Sequence, residues 1–201
     1  MDKRQVVVIH GGETFASRED YISWLRAEEF ALEGQGVVRW KGRLQDELGE
    51  WYEVIQPRMP NSFNATYEEW EIWFEKYLPQ LSQDLILVGH SLGGIFLAKY
   101  LAEKEVGKNI LGTFLVAPPF DSADSEYSLA DFVLPDSLDL FATQSRVIHI
   151  YFSTDDPTVP FADLAKYQAK LPNARVSVFS DRGHFKQESF PELVEEIRLL
   201  G

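Results

Sequence analysis

The sequence predicts an α/β domain of three layers, in which helices cover both faces of a mostly parallel six-stranded sheet. Three observations lead there. Short runs of Val, Ile, Leu and aromatic residues alternate with helical periods along the whole chain. The runs are apolar throughout, as strands covered on both faces tend to be. The chain has 201 residues, 45% of them hydrophobic and 25% charged, which suits one globular domain.

Taken in order, the first strand is predicted at residues 5–9, where Val6, Val7, Val8 and Ile9 are contiguous. Helical periods follow at 18–33 and 38–48, then a strand at 52–56. Thr66 is an N-cap for a helix at 67–80, with Glu68 and Glu69 in its first turn and Pro79 near its end. The run Leu85-Ile86-Leu87-Val88 predicts a strand at 85–88, and an amphipathic period follows at 92–104. Strands are predicted at 110–116, 147–152 and 175–179. Pro160 and Pro191 mark the starts of helices at 161–170 and 191–200, and Pro172 follows the former. Strands alternating with helices imply right-handed βαβ units and a parallel sheet.

Two stretches break the rhythm and are candidate cap segments on the single domain of residues 1–201. Residues 21–42 carry Trp24, Phe30 and Trp40. Residues 118–145 carry six acidic residues, no Lys or Arg, and Phe120, Tyr127, Phe132 and Phe141. Its length predicts helical cap material near a functional opening. Asp121, Asp124, Glu126 and Asp131 are expected to form an acidic rim there.

Composition removes several function classes. There is no cysteine, hence no disulfide, thiol nucleophile or thiolate metal site. The net charge of −13 repels phosphate backbones and anionic lipid heads, so neither nucleic acid nor membrane is an expected partner. The apolar run at Val6 is too short for a signal-peptide core, and no run approaches the ~20 apolar residues of a membrane span. A cytoplasmic location is the expectation.

The chemistry centres on Gly89-His90-Ser91-Leu92-Gly93, placed between a buried strand and a helix. A nucleophile elbow holds its serine in a strained conformation with the hydroxyl exposed. Gly89 and Gly93 leave room where side chains would clash, and Gly94 permits close packing of helix on strand. A serine at its free pKa needs a base. Of the four histidines, His10, His90 and His149 sit in or beside strands and read as structural. His184 lies after the last strand, on the sheet edge where the elbow opens, and is the candidate base. Asp155 and Asp156 follow the fifth strand on that edge, and either could orient the imidazole. The chain order Ser…Asp…His is that of a nucleophile-elbow triad. Oxyanion donors are expected from the backbone N–H of Leu92, next to the serine, and of Gly12, in the loop after the first strand. No histidine pair shows ligand spacing and no phosphate loop is present, so neither metal nor cofactor is expected.

The pieces Val8-Ile9-His10-Gly11, Gly89-His90-Ser91-Leu92-Gly93-Gly94, Ser153-Thr154-Asp155-Asp156-Pro157 and Gly183-His184-Phe185 together resemble the α/β-hydrolase superfamily. The closest likeness is to its compact subgroup of serine hydrolases of the retinoblastoma-binding-protein type. The resemblance implies a sheet lacking the superfamily's first two strands, with order 2-1-3-4-5-6. It aligns the aspartate of an Asp-x-x-Val-Pro motif with Asp156, which makes Asp156 the triad acid. It also implies hydrolysis of a carboxylic ester or related acyl bond in a small-molecule substrate. The alternatives are a catalytically weak binding protein on this fold, or a thioesterase, amidase or acyltransferase using the same residues.

Overall fold

A computed structural model of the chain describes residues 3–29, 38–123 and 128–200. In chain order its elements are β1 (Arg4–Ile9), α1 (Arg18–Ala27), α2 (Trp40–Leu48), β2 (Tyr52–Ile55), α3 (Tyr67–Tyr77), β3 (Asp84–His90), α4 (Leu92–Glu103), β4 (Asn109–Val116), α5 (Asp139–Gln144), β5 (Ile148–Ser153), α6 (Asp163–Lys170), β6 (Arg175–Phe179) and α7 (Pro191–Leu199). The six strands form one sheet in the order β2-β1-β3-β4-β5-β6. Every pairing is parallel.

Alternation along the strands builds two apolar layers. Val7, Ile9, Leu85 and Leu87 face one side, where Trp70 and Phe74 of α3, Phe96 of α4, Phe141 of α5 and Tyr167 of α6 pack on them. Val6, Val8, Ile86 and Val88 face the other, against Trp40 and Leu44 of α2 and Leu193 and Ile197 of α7. Both layers are needed because β1, β3 and β4 lie in the middle of the sheet and are buried on both faces.

The differences from the predicted elements have local causes. The helix predicted at 67–80 ends at Tyr77, and Leu78–Gln80 tighten into a 3₁₀ turn holding Pro79. The helix predicted at 18–33 covers Arg18–Ala27, and 30–37 lie outside the described residues. Ser17 caps α1 by accepting the Asp20 N–H at 3.1 Å, yet α1 buries none of its residues. Residues 118–145 are helical only over Asp139–Gln144 among the described residues, and Phe132, Leu138 and Phe141 lie in the core. Much of that segment therefore covers the sheet.

Candidate active site

The site begins at the centre of the sheet, where β3 stops and α4 starts. Ser91 takes φ 56° and ψ −124° at that junction. A non-glycine residue here is strained. Its backbone is held from both sides: Ser91 N–H donates to Val116 O at 2.8 Å, and Ser91 O accepts from Gly94 N at 2.8 Å. The flanking glycines are steric necessities. A Cβ on Gly93 would stand 2.6 Å from His10 O and closer still to Ile9 O, and one on Gly89 would stand 2.7 Å from Gly94 Cα. A Cβ on Gly11 would meet Ser91 Cβ at 3.0 Å, so the loop after β1 passes directly against the serine. His10 holds that loop, with Nδ1 2.6 Å from Gly11 O and Nε2 accepting Met59 N–H at 3.0 Å.

The loop after β6 brings His184 to this point. Its Nε2 lies 2.9 Å from Ser91 Oγ and its Nδ1 lies 2.8 Å from Asp156 Oδ2. The Asp156 side chain is 1% exposed, and its other oxygen accepts the N–H groups of Thr158 at 2.8 Å and Val159 at 3.1 Å. The structure thus brings together Ser91, His184 and Asp156. Asp155 turns away from the imidazole and ties down the loop that carries it. Its carboxylate accepts Gly183 N–H at 3.0 Å and the Ser153 hydroxyl, and Ser153 Oγ accepts Arg182 N–H at 3.1 Å. The Ser153 and Gly183 donors hold the Asp155 carboxyl below its ordinary pKa. The adjacency of the two aspartates did not say which would face the imidazole; the resemblance alone favoured Asp156.

Ser91 opens into a cavity of about 510 Å³, also lined by Gly12, Leu92, Trp24, Phe63 and Leu129. Gly12 lies beside Leu92, since a Cβ built on it would fall 3.3 Å from Leu92 Cδ2. Trp24 comes from α1 and forms an aromatic wall with Phe15 at 5.4 Å and Phe63 at 6.3 Å between ring centroids. The cavity's charged lining was missed by the sequence reading. Glu13, Glu28, Arg39, Lys41 and Lys186 all line it. Burial raises the Glu13 pKa, with His184 acting against that shift.

The expected acidic rim is corrected here. Asp121 pairs with Lys166 at 2.8 Å, and Asp131 accepts Tyr67 N–H at 2.8 Å at the start of α3. Neither lines the cavity. Asp124 and Glu126 lie outside the described residues.

His90 is buried. Its Nε2 lies 3.0 Å from His184 O, so that nitrogen carries the proton, and its Nδ1 accepts from Lys41 Nζ at 3.0 Å. Burial first, then the Lys41 charge, hold its pKa well below the ordinary value. His149 is satisfied by Ser177 Oγ at 2.9 Å, as a buried sheet histidine should be. Among the described residues no group of three or more His, Asp or Glu side chains could hold a metal ion, and no helix is long and apolar enough to cross a membrane.

Comparison with known proteins agrees with this fold. A model of the serine hydrolase family matches residues 30–200. Serine hydrolase RBBP9 of Rattus norvegicus is 26% identical over 149 residues, covering 74% of this chain and 78% of that protein. The ydeN gene product of B. subtilis superposes with a TM-score of 0.78 at 20% identity, covering 98% of both chains. A lipase-esterase related protein from Clostridium acetobutylicum superposes with a TM-score of 0.64 at 11% identity, covering 98% of this chain and 94% of that one. These neighbours share the α/β-hydrolase fold.

Proposed function

Since the chain belongs to the serine hydrolase family, we propose that Ser91, His184 and Asp156 are its catalytic triad and that it hydrolyses carboxylic esters of small molecules. The observation that carries this reading is the unbroken chain from Asp156 Oδ2 through His184 to Ser91 Oγ, at 2.8 and 2.9 Å, ending on a strained elbow.

In this mechanism His184 Nε2 takes the Ser91 proton as Oγ attacks the acyl carbon. Asp156 keeps the other proton on Nδ1 and stabilises the imidazolium that forms. The oxyanion is held by the backbone N–H groups of Leu92 and Gly12, each worth ~3 kcal/mol by comparison with donors of that kind. His184 then returns its proton to the leaving alcohol. Water, deprotonated by the same imidazole, releases the acid and restores Ser91.

An alkyl fluorophosphonate tests the reading directly. The adduct is expected on Ser91, with labelling and p-nitrophenyl ester turnover both lost in Ser91→Ala and His184→Ala. Triad members act as a unit, so the double variant should be no worse than either single. Full labelling of purified Ser91→Ala would refute the assignment. Matched esters, thioesters and amides then rank the acyl bonds that the site accepts.

A further inference from the structure

The cavity beside Ser91 holds a cation, Lys41, with no anion paired to it among the described residues. Lys41 Nζ donates to His90 Nδ1 at 3.0 Å and lies 5.6 Å from the Trp40 ring. Among the described residues no carboxylate forms a salt bridge with Lys41, Arg39 or Lys186, although the Lys186 charge does reach Glu13. The charges acting on the Lys41 ammonium are those of Arg39 and Lys186, both of the same sign. Burial and these two neighbours lower its pKa to about 8.

Such an arrangement is costly. A half-buried ammonium among other cations forfeits hydration without Coulombic compensation. Arg39 and Lys41 also open α2, which has no acidic residue in its first turn. The positive end of a helix disfavours cations there. The chain carries −13 overall, so carboxylates to neutralise Lys41 are abundant, yet among the described residues none is placed on it. Glu13 and Glu28 line the same cavity, but the charges felt by Glu13 are those of His184, Glu28 and Lys186. The lining is thus zoned, with Lys186 between a carboxylate part and a cationic part.

We propose that the cationic zone binds an anionic group, carboxylate or phosphate, on the substrate of this hydrolase, with Lys41 as the central ligand and Arg39 and Lys186 flanking it. The proposal rests on the reading of Ser91 as nucleophile, because it names the substrate class of that site. Lys41 is separated from His184 by the His90 ring, which stands 5.0 Å from the His184 ring between centroids. The anion therefore sits on a side arm of the ester, away from the bond being cleaved. A bound anion would also favour the protonated form of Lys41.

Two ester pairs test this and separate the two sides of the ester. Mono-p-nitrophenyl glutarate against p-nitrophenyl pentanoate places the charge on the acyl side. Acetoxybenzoate against its methyl ester places it on the alcohol side. At low salt, the anionic member of at least one pair should show about tenfold higher kcat/KM, a gain of the size expected of one charge-assisted contact. That ratio should collapse in Lys41→Met and Lys41→Gln, survive in Lys41→Arg, and shrink as salt rises. Taking a ratio within each variant cancels any effect transmitted through His90. Calorimetry adds a readout independent of turnover: glutarate or phenyl phosphate should bind the wild type and be lost in Lys41→Met, with proton uptake near pH 8. Ratios at or below one in both pairs, with neutral esters turned over, overturn the anion site and leave the triad standing. If no ester is cleaved, the triad reading fails and calorimetry decides alone. Binding absent, or indifferent to Lys41, then overturns the proposal.

Discussion

Replacing Asp156 by asparagine inverts the hydrogen-bonding sense of one atom at the proposed triad. In the wild type, Oδ1 accepts two backbone N–H groups, from Thr158 and Val159, while Oδ2 meets His184 Nδ1. An asparagine must keep its carbonyl on the two N–H groups. Turning the amide over would set its NH₂ against both donors and forfeit two bonds at about 1–3 kcal/mol each. The unflipped amide therefore dominates by about 2–6 kcal/mol, and its NH₂ points at Nδ1. His184 must then carry its proton on Nε2, facing Ser91 Oγ, where it cannot act as base. In a chymotrypsin-type triad this same substitution lowers kcat by about 10⁴, or ~5.5 kcal/mol in activation free energy. Asp156→Asn should lose p-nitrophenyl ester kcat on that scale while its thermal midpoint stays close to the wild type. Asp155→Asn retains an acceptor for Gly183 N–H, so its loss should be about tenfold or less. Steady-state kinetics on purified variants with active-site titration would decide. An Asp156→Asn enzyme within tenfold of wild type, or the reverse order of losses, refutes the tautomer reasoning and the choice of acid.

Three further outcomes follow from the structure. Gly93→Ala drives a Cβ towards Ile9 O and His10 O, and should cost about 3 kcal/mol in urea unfolding through overpacking; an unchanged midpoint would refute the tight elbow. His10, His90 and His149 all have pKa values lowered, in each case first by burial. The unfolded chain therefore binds protons that the fold refuses, so stability is intact above ~6.5 and falls as pH drops below it, by up to about 1.4 kcal/mol per unit for each group; urea midpoints constant from pH 7.5 to 5 would contradict this. Trp24→Ala removes the aromatic wall from a helix that buries nothing. KM for aromatic esters should rise about three- to tenfold, while the thermal midpoint moves less than about 3 °C.

The sheet was legible because each strand is a short apolar run and the elbow motif announces the central one. All six predicted strands are present within two residues at either end. Ser91 was a candidate from the elbow motif and His184 from its loop after the last strand, and the structure sets them 2.9 Å apart. The choice between Asp155 and Asp156 was not, since adjacent residues share every local property and differ only in side-chain direction. The resemblance pointed to Asp156, and the Nδ1 contact agrees. The rim failed for a similar reason: a count of acidic residues is blind to the partners that take them, here Lys166 and the start of α3. Lys41 had one signal that went unread. Arg39-Trp40-Lys41 puts two cations at the start of a predicted helix, against the ordinary preference of helix ends. Its proximity to His90 depends on how α2 packs beneath the sheet edge, which no local pattern encodes.

Because α1 places no side chain in either apolar layer, what enters the cavity and what keeps the chain folded are under separate genetic control. Substitution of Trp24, the α1 residue that lines the cavity, can alter the cavity without subtracting from the core. The floor offers no such latitude, since the glycines of the elbow are pressed on neighbouring carbonyls and backbone. A library randomised in α1 should therefore return mostly folded proteins that differ in substrate range. Divergence between relatives of this chain would accumulate at the same place, leaving a constant engine beneath an interchangeable entrance.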